Sequence, residues 1–533
     1  MFINDVAYKW DCVSEGGKTL HYKGNKDFAV SVLPHLSGKD VDLDQLTKHF
    51  KKIDRYSSGI IETDTHIVGW VDHIRSWPLF YTQKDDTFFI SQDSYTIKDH
   101  IADTEYNQES LIEFKLSGYV TGKETLINDL FCLNPGEFCL WDKREKTLSV
   151  QKYFSYIPSF DSQINKDEAI KQQNKIFDEL TLRIIAEADG KPIWIPLSGG
   201  LDSRILLCKL HEHGYKNIQT FTYGPRFNFE GLIAKKIAKK LNVPWRFVAV
   251  PRKILRSYFD SDNRKNFFKF AGNLKTIPCM REYGAIRYLH ENGQIDKDAI
   301  FLNGQSGDYI TGGHLSKQSK DNPNYDINCF YDVIINKHYD LWKQVKTEEN
   351  LEIIRKKINK FVANITGQDI RISSPLDGAK YEETWEYDGR QICYVANGQR
   401  VYEYFGYNWE MPLWEKSLVD FYQPLSFDMK YGQKIYKDYL HSYNYMGLFP
   451  IKEPYIWRWP LPMLWVVPLA QIIGLIGGRK TKDNFYALMR YWGHYANQYA
   501  FFDFNYYKKF ISKTRNVIAL YVLKYLEENN LRL

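Results

Sequence analysis

A β-rich first part followed by a parallel-sheet α/β domain is the fold class this sequence predicts, and three patterns point to it. Up to about residue 157, short alternating or apolar runs (HIVGWV, TFFIS, EFCLW, LSVQKYF) are set apart by clusters such as ETDT, KDDT, NPGE and DKREK. Apolar alternation bounded by turn-forming residues marks strands of a largely antiparallel domain. From Asn165 the period changes, and Ile170, Ile176, Phe177, Leu180 and Ile184 recur at helical spacing, with Asp167 and Glu168 in the first turn, where the helix dipole favours acids. Beyond residue 190 strands and helices alternate at the spacing of a parallel sheet with crossover helices.

The elements of that second part follow in order. PIWIPL is a short buried strand, RILLCKLHEHG a helix closing on Gly214, IQTFTYG a second strand, EGLIAKKIAKKLNV a second helix and WRFVAV a third strand. The domains expected are 1–157 and 160–533, the latter with a helical C-terminal part. At 533 residues the chain exceeds one ordinary core. Hydrophobic residues at 44% beside charged residues at 26% give a folded composition rather than a disordered or collagen-like one.

A net charge of +6, with no dominant basic block, gives no reason to expect a nucleic-acid partner. The seven cysteines show no CxxC pair and no metal-ligand spacing with histidine, and Cys208 lies on an apolar helix face. MFINDVAYKW lacks the basic and apolar regions of an export signal, so the cytoplasm is the expected compartment.

One stretch asks for more than structure. SGGLDS, residues 198–203, falls at a strand-to-helix turn outside the carboxyl end of a parallel strand, where open α/β sheets bind ligands. Gly199 and Gly200 are expected to adopt conformations closed to other residues and to let phosphate oxygens approach the main chain. Backbone N–H groups at the helix start, with the hydroxyls of Ser198 and Ser203, would donate to those oxygens. A carboxylate at Asp202 would repel phosphate unless a cation such as Mg²⁺ bridged the two. The GKS/T ending of a Walker A loop is missing. The bland alternative is a tight turn with a capping serine.

SGGLDS resembles the PP-loop of ATP pyrophosphatases, in the form found in asparagine synthetases. NGQSGDYITGGH (303–314), FTYG (221–224) and QRVYEYFGYNWEMPLWE (399–415) resemble further motifs of that family, with Arg400 and Pro412 in register. The resemblance runs from about residue 55 to 460. It implies a PP-loop synthetase domain preceded by a truncated Ntn-hydrolase-like, glutaminase-like domain. It also implies ATP as substrate and Mg²⁺ held by Asp202 and Asp308, with Leu197, Ser198, Gly199, Gly200, Leu201, Ser203, Tyr223, Asn303 and Gly304 around the nucleotide.

The departures from the family pattern carry the finer expectations. Where the family has a cysteine nucleophile after Met1, this chain has Phe2, Cys12 is internal, and no NGEIYN-like segment is found. No glutaminase activity is therefore expected, and nitrogen would come from ammonia, an amine or a partner glutaminase. Arg75 is expected to be structural rather than a glutamine ligand. Gln305 replaces the glutamate of the second loop, Gln399 replaces an aspartate and Tyr309 replaces a carboxylate. Gln305 can position but not deprotonate an amine, which leaves the base open and makes an aspartate pocket unexpected. Lys452, with Arg458 as an equally placed alternative, is the cation expected beside departing pyrophosphate.

The expected activity is adenylation of a carboxylate followed by attack of an amine, giving an amide and AMP. RSxPLFY, KFAGNL and YEYFGYNWEMPLWE resemble homologues from bacterial surface-polysaccharide gene sets, such as those for O-antigen, which implies a hexuronic acid on a glycan precursor. The alternatives are a β-lactam-synthetase-like intramolecular ligase and a noncatalytic nucleotide-binding partner protein. RWPLPMLWVVPLAQIIGLIGGRKTK (458–482) is apolar for about 20 residues, near the spanning threshold, but Pro460, Pro462 and Pro468 argue against one continuous helix. It is read either as an interfacial membrane anchor or as a buried or homodimer-interface element.

Overall fold

The computed structural model describes residues 10–15, 17–36, 40–101, 104–226, 228–451, 465–494 and 496–533. Its N-terminal part contains a six-stranded antiparallel sheet, ordered β1 (Asp11–Glu15), β2 (Lys18–Gly24), β3 (Ser57–Glu62), β4 (His66–Val71), β8 (Glu137–Asp142), β9 (Thr147–Lys152). A three-stranded sheet, β6 (Thr87–Ser91), β5 (Phe80–Lys84), β7 (Phe131–Cys132), packs on one face of it. The period-2 pattern explains the layering. Ile60 and Ile67 point into the main core, while their neighbours Ile61 and Val68 point the other way into a second cluster with Phe28, Leu46 and Phe50. Those three residues lie on the helices Lys26–Ser31 and Leu43–Phe50, which cover the outer face.

The long helix predicted from Asn165 spans Lys166–Ala188, with the Asn165 side chain capping it by accepting from the Glu168 amide. It leads into a five-stranded parallel sheet ordered β12 (Trp245–Val248), β11 (Ile218–Tyr223), β10 (Ile193–Pro196), β13 (Ile300–Leu302), β14 (Asn408–Glu410). The first three strands match the sequence expectation. β13 and β14 have three residues each, too short to leave a periodic signal. Their positions set the function: β10 to β12 run outward in one direction and β13 returns to the other side of β10. Strand order therefore reverses between β10 and β13, and such a switch point opens a crevice at the carboxyl ends of the strands.

The two parts share one core. Phe114, on the helix Gln108–Ser117, packs its ring 5.2 Å from Tyr525 on the C-terminal helix Val517–Glu528. Tyr56 donates to the Met411 carbonyl at 2.6 Å, and His73 bonds the Trp414 carbonyl at 2.7 Å. Cys208 is fully buried in the main core.

Candidate active site

A cleft of about 560 Å³ opens at the switch point, walled by the loop 197–203 after β10 and the loop 303–308 after β13. The two loops touch. A Cβ on Gly304 would fall 2.8 Å from the Ser203 amide nitrogen, and one on Gly307 would fall 2.6 Å from the Asp202 carboxyl carbon. Any side chain at either position would push the loops apart, which is the physical reason for glycine in NGQSGD. Ser306 sits between them in the left-handed region, at φ 64, a conformation that costs a non-glycine residue free energy. Its hydroxyl donates to Gln391 at 2.8 Å.

The glycines of SGGLDS act differently from the expectation. Neither Gly199 nor Gly200 lies in the left-handed region. At Gly199 a Cβ would meet the end of the Ile233 side chain at 2.6 Å and the Glu230 carboxylate at 3.0 Å, and its amide donates to that carboxylate. Of the residues expected around the nucleotide, Gly199 alone does not line the cleft. The other loop donors are also internally matched: the Ser198 amide donates to Ser203 at 3.1 Å and the Gly200 amide to Ser198 at 3.1 Å. In this state the hydroxyls and Glu230 stand where anionic oxygens were expected. The helix Asp202–Glu212 that follows has no side-chain cap, so its first turn presents amides to the cleft.

Asp202 and Asp308 both face this cleft. Burial, then repulsion from Asp308, pushes Asp202 up to about 7, against a hydrogen bond from Tyr436. Burial also works to raise Asp308, but the hydrogen bond and charge of His314 outweigh it and hold that carboxyl below its ordinary value. His314 is itself lowered by burial and raised more strongly by Asp308 and Glu386, reaching about 9. Glu386 is fixed from behind by Lys337 at 2.6 Å and Gln391 at 2.9 Å. Two carboxylates that repel each other across an open cleft are a donor set that fits Mg²⁺, which takes one or two carboxylates and leaves its other positions to phosphate and water.

The cleft wall also holds a group that the sequence did not single out. Glu282, at the start of the helix Tyr283–Glu291, accepts from the Tyr402 hydroxyl and from Asn303 at 3.4 Å. Burial pushes its carboxyl above the ordinary range, with Tyr402 opposing. Gln305 lies beside it, its amide nitrogen 3.5 Å from Glu282 and its carbonyl accepting from Gln399 at 3.2 Å. Gln305 and Gln399 are thus paired, and the carboxylate beside Gln305 is Glu282. Arg281 and Arg390 also line the cleft. Arg390 and Gln391 reach it from a π-helical stretch, Tyr387–Val395, that continues the helix Pro375–Glu386; such wide turns occur often at functional sites.

Other expected residues fall elsewhere. Tyr309 is fully buried, donates to the Glu383 carbonyl at 2.6 Å and stacks on Trp414, so its replacement of a carboxylate alters the core rather than the cleft wall. Arg400 is buried against the Phe270 ring and pairs with Glu403 at 2.7 Å. Arg75 is buried at the seam between the two parts, its guanidinium 3.5 Å from the Cys393 sulfur. Lys452, Arg458 and Phe2 lie outside the described residues. Leu197, Ser198, Gly200, Leu201, Asp202, Ser203, Tyr223, Asn303, Gly304, Gln305 and Asp308 are brought together.

Known proteins resemble this chain most clearly over the same region. Residues 188–443 match the family model described as asparagine synthase, a span that holds the parallel sheet and both loops. The microcin J25-processing protein McjC of Escherichia coli is 27% identical over 253 residues, covering 46% of this chain and 44% of that protein. The chain therefore spans less than half the length of this curated relative. Among solved structures, a glutamine phosphoribosylpyrophosphate amidotransferase from B. subtilis complexed with ADP and GMP is 10% identical, covering 56% of this chain and 58% of its own, at a TM-score of 0.14. A structure described as the allosteric regulatory enzyme of purine biosynthesis covers 56% and 57% at 10% identity and a TM-score of 0.17; overlaps this low carry no argument. The match to the asparagine synthase family model thus spans the parallel sheet and both cleft loops.

Proposed function

We propose that this chain is an ATP-dependent ligase that makes an amide through an acyl-adenylate. The observation that carries the reading is the meeting of 198–203 and 303–308 at the switch point, with Asp202, Asp308 and Glu282 lining a single cleft. In the first step a substrate carboxylate oxygen attacks the α phosphorus of ATP, and the bond to the β phosphate breaks. Ser198, Ser203 and the first turn of the helix Asp202–Glu212 donate to the departing pyrophosphate, while Tyr223 lines the adenine end. Mg²⁺ held by Asp202 and Asp308 would supply charge neutralisation at the pyrophosphate oxygens. Arg281 and Arg390 offer cations on the same wall, in the role expected of Lys452.

In the second step an amine attacks the acyl carbon and AMP leaves with the electron pair of the broken C–O bond. Glu282 is the base that takes the amine's proton: it is a carboxylate in the cleft with a raised proton affinity, next to the Gln305–Gln399 pair that orients the nucleophile. Nitrogen is read as arriving as ammonia or an amine rather than from glutamine hydrolysed by this chain, because no glutamine-holding segment like that of the family is found.

The acid is read as a hexuronic acid of a polysaccharide precursor on the motif resemblance. A second acid is favoured by the relative that processes microcin J25, namely a carboxylate of a microcin-like product. Incubation with ATP and a panel of hexuronic acids and carboxylate-bearing peptides tests both. AMP and pyrophosphate released only with the right acid is the expected result; ADP and phosphate would overturn the ligase reading.

A further inference from the structure

The helix Val466–Gly493 is interrupted at Gly478, whose φ of 73 and ψ of 177 are not helical. The two arms fold back on each other there. Lys482 Nζ donates to Gln471 Oε1 at 2.8 Å, although eleven residues of straight helix would separate them by about 16 Å. A Cβ on Gly474 would stand 3.3 Å from that of Lys482, so glycine there lets the arms close. The Thr481 hydroxyl donates to the Gly477 carbonyl at 2.6 Å and fastens the turn. Pro468 falls in the first turn of the helix, where its missing N–H interrupts nothing; the break in the apolar stretch comes from Gly478 instead.

This hairpin carries its apolar side outward. Val466 and Ala470 are buried at its base, and Tyr491 of the returning arm is buried, donating to the Phe502 carbonyl at 2.7 Å. Trp465, Leu469, Ile472 and Ile476 recur at helical spacing on the outer face, and exposure is greatest at the tip, 86% at Leu475 and 85% at Ile476, against 44% at Leu469 and 52% at Ile472. Arg479, Lys480 and Lys482 follow directly, and no acidic residue occurs from 454 to 482. The expectation of a buried element therefore fails for the outer arm.

We propose that this hairpin seats in one leaflet of an anionic lipid membrane, with Leu475 and Ile476 entering the acyl boundary and Arg479, Lys480 and Lys482 at the headgroups. An apolar stripe ending in cations is the pattern of an interfacial helix. The outer arm, about 18 Å long, is shorter than the roughly 30 Å hydrocarbon core, and no helix among the described residues is long and apolar enough to cross a membrane. A second copy fits the surface less well, because tip-to-tip docking would set Arg479 and Lys480 against their own charges.

Flotation of the full chain with phosphatidylcholine vesicles, alone or with one third phosphatidylglycerol, tests the assignment at low and high salt. The expected result is co-flotation with the anionic vesicles, weakened by salt and reduced about tenfold or more in the Leu475→Glu, Ile476→Glu double variant. About fivefold should be lost for each of Arg479→Gln and Lys480→Gln, from roughly 1 kcal/mol per cation. Both side chains of the double variant are exposed, so its Tm and ATP–pyrophosphate exchange should stay unchanged. No flotation, equal binding to neutral vesicles, or a wild-type dimer that the double variant breaks would overturn the proposal.

Discussion

The seam between the two parts of the molecule and the cleft at the switch point use polar side chains in opposite ways. At the seam several of them are answered by backbone groups. Asp72 accepts from the amides of Ser57, Ile74 and Ser76 at 2.9, 3.0 and 3.1 Å, Tyr56 and His73 bond carbonyls of the opposite part, and Arg75 is buried with its guanidinium against the Cys393 sulfur. In the cleft, acids and bases face one space: Asp308 raises Asp202, His314 lowers Asp308, and Arg281 and Arg390 share the wall with Glu282. A group bonded to backbone fixes position, whereas a carboxyl pushed up by burial and a like-charged neighbour, as Asp202 is, holds electrostatic free energy that a bound cation can release. The residues that line the cleft all lie in the second part, within the span that matches the asparagine synthase family model.

The strongest test of that contrast is Asp202→Asn, which keeps the shape and removes the charge. ATP–pyrophosphate exchange driven by the acid substrate should fall roughly 100-fold or more, as loss of an electrostatic transition-state contact usually does, with Tm unchanged. Exchange at the wild-type rate would return SGGLDS to the status of a turn.

Glu282→Gln should separate the two steps. Amide formation should drop by about 10- to 100-fold, the range of a lost general base, while exchange stays within about threefold of wild type. Equal loss of both would make Glu282 a positioning residue for the nucleotide instead.

At the seam the expected effect is on stability alone. Burial lowers His73 to about 4, against the bond to the Trp414 carbonyl and with Lys416 adding to the lowering. The unfolded chain, with a histidine near 6.5, takes up its proton first as pH falls. This contribution to stability is therefore complete above about pH 6.5 and is lost on the way down to 4. Asp72, pushed to about 6 by burial, works in the opposite direction, so the comparison is with a variant. His73→Asn should lose less Tm than the wild type between pH 7 and pH 5, with exchange unaffected; parallel curves would remove His73 from the account.

Cys12→Ala should change least. Neither stability nor ammonia-dependent amide formation should move, because Cys12 is exposed on an edge strand. Glutamate released from glutamine by the wild type and lost in this variant would show a glutaminase in the first part after all.

Much of this molecule is written locally, and that is why it could be read. The helix Lys166–Ala188, strands β10 to β12 and the loop between β10 and the helix Asp202–Glu212 each follow from periodicity, capping and turn residues that lie within a few positions of one another. Glycine was legible at 199, but its reason was not: close approach to Ile233 depends on a helix 30 residues away. Glu282, Arg281 and Arg390 left no signal, because an isolated acid or base in sequence looks the same whether it is solvated or aimed into a cleft. β13 and β14 went unread for their shortness, and they decide where strand order reverses. The sequence by itself determined the class of fold, the place of the loop 198–203 at a strand-to-helix turn and the apolar stretch near 470. Only tertiary structure decided which charges share a cleft, that Tyr309 belongs to the core, and that Gly478 turns the apolar stretch into a hairpin, because burial, repulsion and chain reversal depend on distances between residues far apart in the chain.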